Sequence, residues 1–206
     1  MTIGTKDVIT IRHKLYPGRD INTLKSELFD RLQAITRLTY QAYTNPSATC
    51  KTDWFGSYGT SKSTIIDDYS KKISDYMKMI TKFTFSSSNK YPNSIATSAL
   101  YNSHKVEGGM SLDKLSKNPL IRLEPGFHSN RYGWGEKTLS ILHELTHLTI
   151  GTLDKQTQDG SDAYGMNKCI DLKNWKPEDA YRNADNWMYY FNCYHGNTID
   201  RGKDWP

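Results

Sequence analysis

At 206 residues the chain has the length of one domain, large enough to bury a core without disulfide or metal staples. Its formal charge of +5 is scattered through mixed clusters such as Asp67-Asp68-Tyr69-Ser70-Lys71-Lys72, with no basic tract or arginine stripe, which argues against a nucleic-acid partner. The hydrophobic fraction is only 36%, and no apolar run approaches the roughly eighteen residues that a membrane span needs.

The start, Met1-Thr2-Ile3-Gly4-Thr5-Lys6-Asp7, lacks the charged head and apolar run of a signal peptide. The expectation is a chain that stays inside, leaves by a route needing no such peptide, or was cut from something larger. Three cysteines, Cys50, Cys169 and Cys193, are too few for a disulfide framework and have no CxxC spacing for a cysteine zinc site. Cys169 and Cys193 would pair if the C-terminal segments pack together.

Residues 7–16 alternate, with Val8, Ile9, Ile11 and Leu15 apolar, and read as a strand before the Pro17-Gly18 turn, making 1–19 an N-terminal strand extension. Asp20 then caps a long helix whose apolar residues recur at Ile21, Leu24, Leu28, Leu32, Ile35, Leu38 and Ala42, a core-facing stripe that Asn45-Pro46 ends. Trp54-Phe55-Gly56 reads as core and turn. A second helix, with Ile66, Tyr69, Ile73, Tyr76 and Ile80 on one face, is expected to pair antiparallel with the first. From Phe83 to Phe127 short β-prone runs at 82–85, 94–101 and 120–123 predict a small antiparallel sheet. The run Ile121-Arg122-Leu123 would be the strand against which a substrate backbone pairs, if it lies at the sheet edge.

A further helix is predicted to start within 136–138 and to stop at Gly151, a natural residue for the position after a helix end. Pro177-Glu178-Asp179 opens a final helix, with proline and acids in its first turn, and 196–206 reads as a polar tail. No internal repeat divides the chain, so 1–206 is one α+β domain, mainly helical.

The helix ending at Gly151 contains His143-Glu144-Leu145-Thr146-His147. Histidines four apart lie on one helix face about a turn from each other and can share one metal ion, with Glu144 close to the same point. That is the HExxH layout of a zinc peptidase: His143 and His147 hold Zn²⁺, and Glu144 takes a proton from the water that zinc activates. His13, His104, His128 and His195 read as ordinary surface or satisfied histidines, with a place near the cleft left open for His128 and His195. A catalytic zinc needs a third protein ligand. A histidine six residues after His147 is absent, since that position is Leu153, and the only later glutamate is Glu178. Asp154, in Gly151-Thr152-Leu153-Asp154, can swing back once glycine breaks the helix; Asp159 and Asp162 compete for the same role.

HExxH followed by Gly-Thr-x-Asp and then by Ala163-Tyr164-Gly165 resembles the aspzincins, the deuterolysin and peptidyl-Lys metalloendopeptidase family. Trp54-Phe55-Gly56-Ser57-Tyr58, and Asn183-Ala184-Asp185-Asn186 with Tyr190-Phe191, resemble that family in the same order, so the likeness runs over about 52–191. It implies a zincin-like fold and hydrolysis of internal peptide bonds in proteins. His143, His147 and Asp154 would be the zinc ligands, Glu144 the general base and Tyr164 the stabiliser of the oxyanion. Asp185 would receive a substrate lysine just after the scissile bond. Two departures stand out: an extra polar stretch, 155–161, precedes Asp162 and Tyr164, and Met188 stands where lysine-specific members carry a second acid. The setting expected by analogy is a secreted or delivered bacterial toxin or effector, partnered by an immunity or inhibitor protein; otherwise the chain is cytoplasmic. The rival readings are a zinc-holding binding module without turnover and a zinc hydrolase of cell-wall peptides.

Overall fold

The computed structural model describes residues 6–12, 19–57, 60–92, 94–98 and 109–195. Strand β1 (Ile9–Arg12) precedes helix α1 (Ile21–Thr44), where the Asp20 carboxylate accepts the Thr23 N–H at 2.7 Å. The stripe from Leu24 to Ala42 is buried, and only Ile21, at the helix mouth, faces water. A short helix unforeseen in the sequence, α2 (Ala48–Phe55), is capped by Ser47, whose hydroxyl accepts the Cys50 N–H. It carries Trp54 and Phe55 into the core. Helix α3 (Thr60–Met79) buries Ile66, Ile73 and Tyr76 and packs on α1.

Strands β2 (Phe83–Ser87), β3 (Ala96–Ser98) and β4 (Leu120–Leu123) complete a four-stranded sheet in the order β1-β2-β4-β3. The expected antiparallel sheet is corrected here: β1 with β2 and β2 with β4 run parallel, and only β3 is antiparallel, to β4. The reason lies in the connections. Three helices separate β1 from β2, a crossover that returns the chain in the same direction. The N-terminal strand is therefore part of the sheet. Ile121-Arg122-Leu123 lies inside it, and the edge beside the helices is β3.

A single turn, α4 (Pro125–His128), leads to helix α5 (Trp134–Ile150), which starts two residues before the predicted range, where Glu136 Oε2 accepts the Gly133 N–H at 2.8 Å. Helix α5 is buried almost all round, between α1, α3, α8 and β3. Its buried threonines return their hydroxyl hydrogens to the preceding turn: Thr138 to Trp134, Thr146 to His143 and Thr149 to Leu145. Gly151 ends it in the left-handed region, φ 68°, as predicted. Helix α6 (Met166–Trp175) follows, and the single helix expected from Pro177 is two: α7 (Pro177–Ala180) and α8 (Ala184–Asn192). They part because Leu153 intervenes, its N–H bonding the Arg182 carbonyl and its carbonyl the Ala184 N–H.

The cysteine pairing also differs. Cys50 bonds Cys193, and Cys169 is a free, buried thiol. Trp54 stacks on Tyr189 with ring centroids 4.9 Å apart, and the Tyr194 hydroxyl accepts the Ser47 N–H, which brings the end of α8 to α2. Cys169 instead faces the Ala163 carbonyl from α6. The Pro17-Gly18 turn and the tail 196–206 lie outside the described residues.

Candidate metal centre and active site

One turn of α5 carries His143 above His147, and their Nε2 atoms are 2.9 Å apart. Asp154 Oδ1 lies 3.2 Å from the first and 3.4 Å from the second. The other ring nitrogens decide what these atoms offer. His147 Nδ1 is 2.7 Å from the Thr152 carbonyl, which can only accept, so Nδ1 carries the hydrogen and Nε2 a lone pair. His143 Nδ1 is 2.6 Å from the Asp185 carboxylate, and the same reasoning applies. Three electron-rich atoms thus converge, an arrangement that calls for a cation at its centre. The electrostatics agree. Burial works against a charged His143, but Asp154, Asp185 and Glu144 outweigh it and raise its pKa well above the usual value, so the cluster attracts a proton to Nε2 that a metal ion would displace. Burial likewise opposes the Asp154 anion, and the two imidazoles outweigh it, holding Asp154 far below the ordinary carboxylate range.

Both rivals for the third position are turned elsewhere. Asp159 accepts from Lys168, Thr157 and Ser161, and Asp162 lies in a β-bridge with Gln156. The extra stretch is a small hairpin, with Gln156 bridged to Asp162 and the Ala163 N–H bonded to the Lys155 carbonyl. Its two ends are gripped by the Asn183 side chain, through the Lys155 N–H and the Ala163 carbonyl. The insertion therefore loops out and returns Tyr164 to Asp154, with which its hydroxyl interacts. The Tyr164 ring is 6.0 Å from that of His143 and 49% exposed. Burial of the hydroxyl, aided by Asp154, pushes the phenol well above its ordinary pKa, so it keeps its proton as a donor.

Glu144 is buried against β3. Its Oε2 accepts the Ser98 N–H at 2.6 Å, and its Oε1 faces His143 Nε2 at 3.9 Å. Edge geometry explains this bond. The Ile95 carbonyl accepts from the Glu124 N–H in β4's direction, so by alternation the main-chain groups of Ala96 and Ser98 point outward.

A sequence model of the aspzincins, described as lysine-specific metallo-endopeptidases, matches residues 40–192. The chain belongs to the aspzincin family. Its fold is similar to that of a zinc peptidase from Grifola frondosa, with a TM-score of 0.61 and 19% identity over 84% of this chain and 96% of that one. A comparison with curated proteins gives no match. This aspzincin is thus a zinc metallopeptidase, with protein or peptide as its substrate.

The residues present fit that ion. Ligands at about 2.0–2.1 Å in tetrahedral geometry stand about 3.3 Å apart, close to the 2.9–3.4 Å edges of the triangle formed by His143, His147 and Asp154. Asp185 lies behind the triangle, 6% exposed, with Oδ1 on His143 and Oδ2 accepting the Gly165 N–H at 2.7 Å. A carboxylate in this position orients a ligating imidazole. Each Asp185 oxygen already accepts one hydrogen bond within the protein, and Met188, a turn further along α8, is buried in the core. Sequence reading missed Ser98, Thr152 and Asn183 as supports of the site. Thr152 and Asn183 lie inside motifs that mark the family, but their contacts are made by main chain or across distant segments. Cys169 lies behind the site as a thiol whose pKa burial drives upward, and so is unreactive.

Proposed function

We propose that this aspzincin cleaves internal peptide bonds with His143, His147 and Asp154 as zinc ligands, Glu144 as general base and Tyr164 as oxyanion donor. The convergence of two imidazole lone pairs and one carboxylate oxygen, with Glu144 Oε1 beside them, carries this reading. Held by His143, His147 and Asp154, the ion would supply Lewis acidity that lowers the pKa of a bound water and polarises the scissile carbonyl. Glu144 Oε1 accepts the proton of the attacking water and returns it to the departing amine. The neutral Tyr164 hydroxyl donates to the oxygen on which charge develops. Asp185 keeps His143 in the tautomer that leaves Nε2 free. The substrate backbone adds to β3 as a further strand, opposite the outward main-chain groups of Ala96.

The same geometry argues against strict selection of lysine after the scissile bond. Asp185 is 6% exposed and already accepts from His143 and Gly165, and Met188 supplies no second charge. Leu153 and Tyr164, large and solvent-facing beside Asp154, favour apolar contacts instead. The Cys50–Cys193 bond supports action in an oxidising compartment, as for a secreted or delivered effector with an inhibitor partner.

Glu144→Gln tests the mechanism. With one zinc per chain retained, kcat on casein-derived peptides is expected to fall about 100- to 10,000-fold, and a wild-type rate at full zinc would refute the assignment. A peptide library cleaved by the wild type reads the selectivity, and exclusive cleavage before lysine would overturn that part.

A further inference from the structure

Arg122 has no role in the mechanism above, yet it touches the residue whose N–H holds the general base. Arg122 of β4 stands opposite Thr97 across the antiparallel pair, and its Nη1 donates to the Ser98 carbonyl at 3.3 Å. Ser98 is the last residue of β3, 6% exposed, and its N–H is the donor that holds Glu144 Oε2. Among the described residues the outward carbonyl of Ser98 receives no ladder bond, because β4 pairs with the other side of β3. The guanidinium supplies that missing restraint.

We propose that Arg122 is a positioning residue for catalysis: by fixing the Ser98 carbonyl it holds the Ser98 N–H toward Glu144, and so keeps Glu144 Oε1 turned to the metal face. This rests on the reading of Glu144 as general base. The Ser98 hydroxyl takes no part in the holding; it is buried and makes no hydrogen bond among the described residues. Glu144 is therefore steered by main chain, and the side chain that controls that main chain is Arg122. Lysine has donors and reach enough to touch the same carbonyl, whereas methionine fills similar space with none.

The test compares the zinc-loaded full chain as wild type, Arg122→Met and Arg122→Lys on a fluorogenic peptide, with zinc content measured on the same samples. Arg122→Met is expected to keep one zinc and a KM within about twofold of wild type while kcat falls about tenfold, and Arg122→Lys to recover kcat to within about threefold. A role in folding or substrate binding alone would not divide the effect this way. In a Glu144→Asp background, where the shorter carboxylate no longer reaches the Ser98 N–H, the Arg122→Met loss is expected to disappear. An unchanged kcat in Arg122→Met, a loss appearing in KM, or a tenfold loss persisting in the Glu144→Asp background would each overturn the inference. Should Arg122→Met fail to fold, Arg122→Gln is measured in its place, with the same fall in kcat expected and the same results counting against the inference. Failure of the general-base reading is seen separately, as retained activity in Glu144→Gln.

Discussion

Asp185 spends one carboxylate on two tasks: it holds the ring of His143 and anchors the main chain just after Tyr164. The proposed ligand His143 and the main chain beside the proposed oxyanion donor Tyr164 are thereby held by the same group. Asp185→Asn keeps the size but loses the charge, so zinc affinity is expected to fall about 10- to 100-fold, read by competition with a chromogenic chelator. Unchanged affinity would mean that the aspartate only packs. That an acid stands at this point of Asn183-Ala184-Asp185-Asn186 is plain in the sequence. That it faces a histidine is not, because the two are 42 residues apart and meet only where α8 packs on α5.

The elements divide by how local their causes are. Helices α1 and α5 are legible because apolar spacing, the Asp20 cap and the Gly151 stop all lie within the segments themselves. Helices α2 and α6 are short and weakly patterned, so periodicity has too little chain to act on, whereas β3 falls inside the run 94–101 read as β-prone. The turn α4 carries a consequence of packing that no pattern reports. Burial, with Arg19 and Lys137 nearby, pushes the His128 pKa down to about 4 from an unfolded value near 6.5. The unfolded chain then binds the extra proton between those values, so this contribution to stability is complete above pH 6.5 and is lost as the pH falls toward 4. In urea unfolding of chelator-treated protein at pH 7 and pH 5, wild type should lose more stability than His128→Gln. The histidines of the metal site contribute equally to both proteins, and equal losses would count against a buried neutral His128.

For the molecule as a whole, the Cys50–Cys193 bond joins residues 143 apart and ties α2 to the end of α8, the helix bearing Asp185. The double substitution Cys50→Ser with Cys193→Ser is expected to cost about 2–5 kcal/mol of stability, seen as a lower urea midpoint. Thiol titration of the denatured chain should find one thiol before reduction and three after it, from the pair and Cys169. Three thiols without reductant would rule the bond out.

By itself the sequence determined that two imidazoles and a carboxylate share one helical turn, that the helix stops at Gly151, and that an aspartate follows within reach. All of these are set by helix geometry and the freedom of one glycine, over a dozen neighbouring residues. Tertiary structure alone decided which strand is the edge, that Ser98 holds Glu144, that Asp185 backs His143, and which cysteines pair. Those contacts join segments 42 to 143 residues apart. They arise from how buried faces pack together, and no spacing along the chain records that.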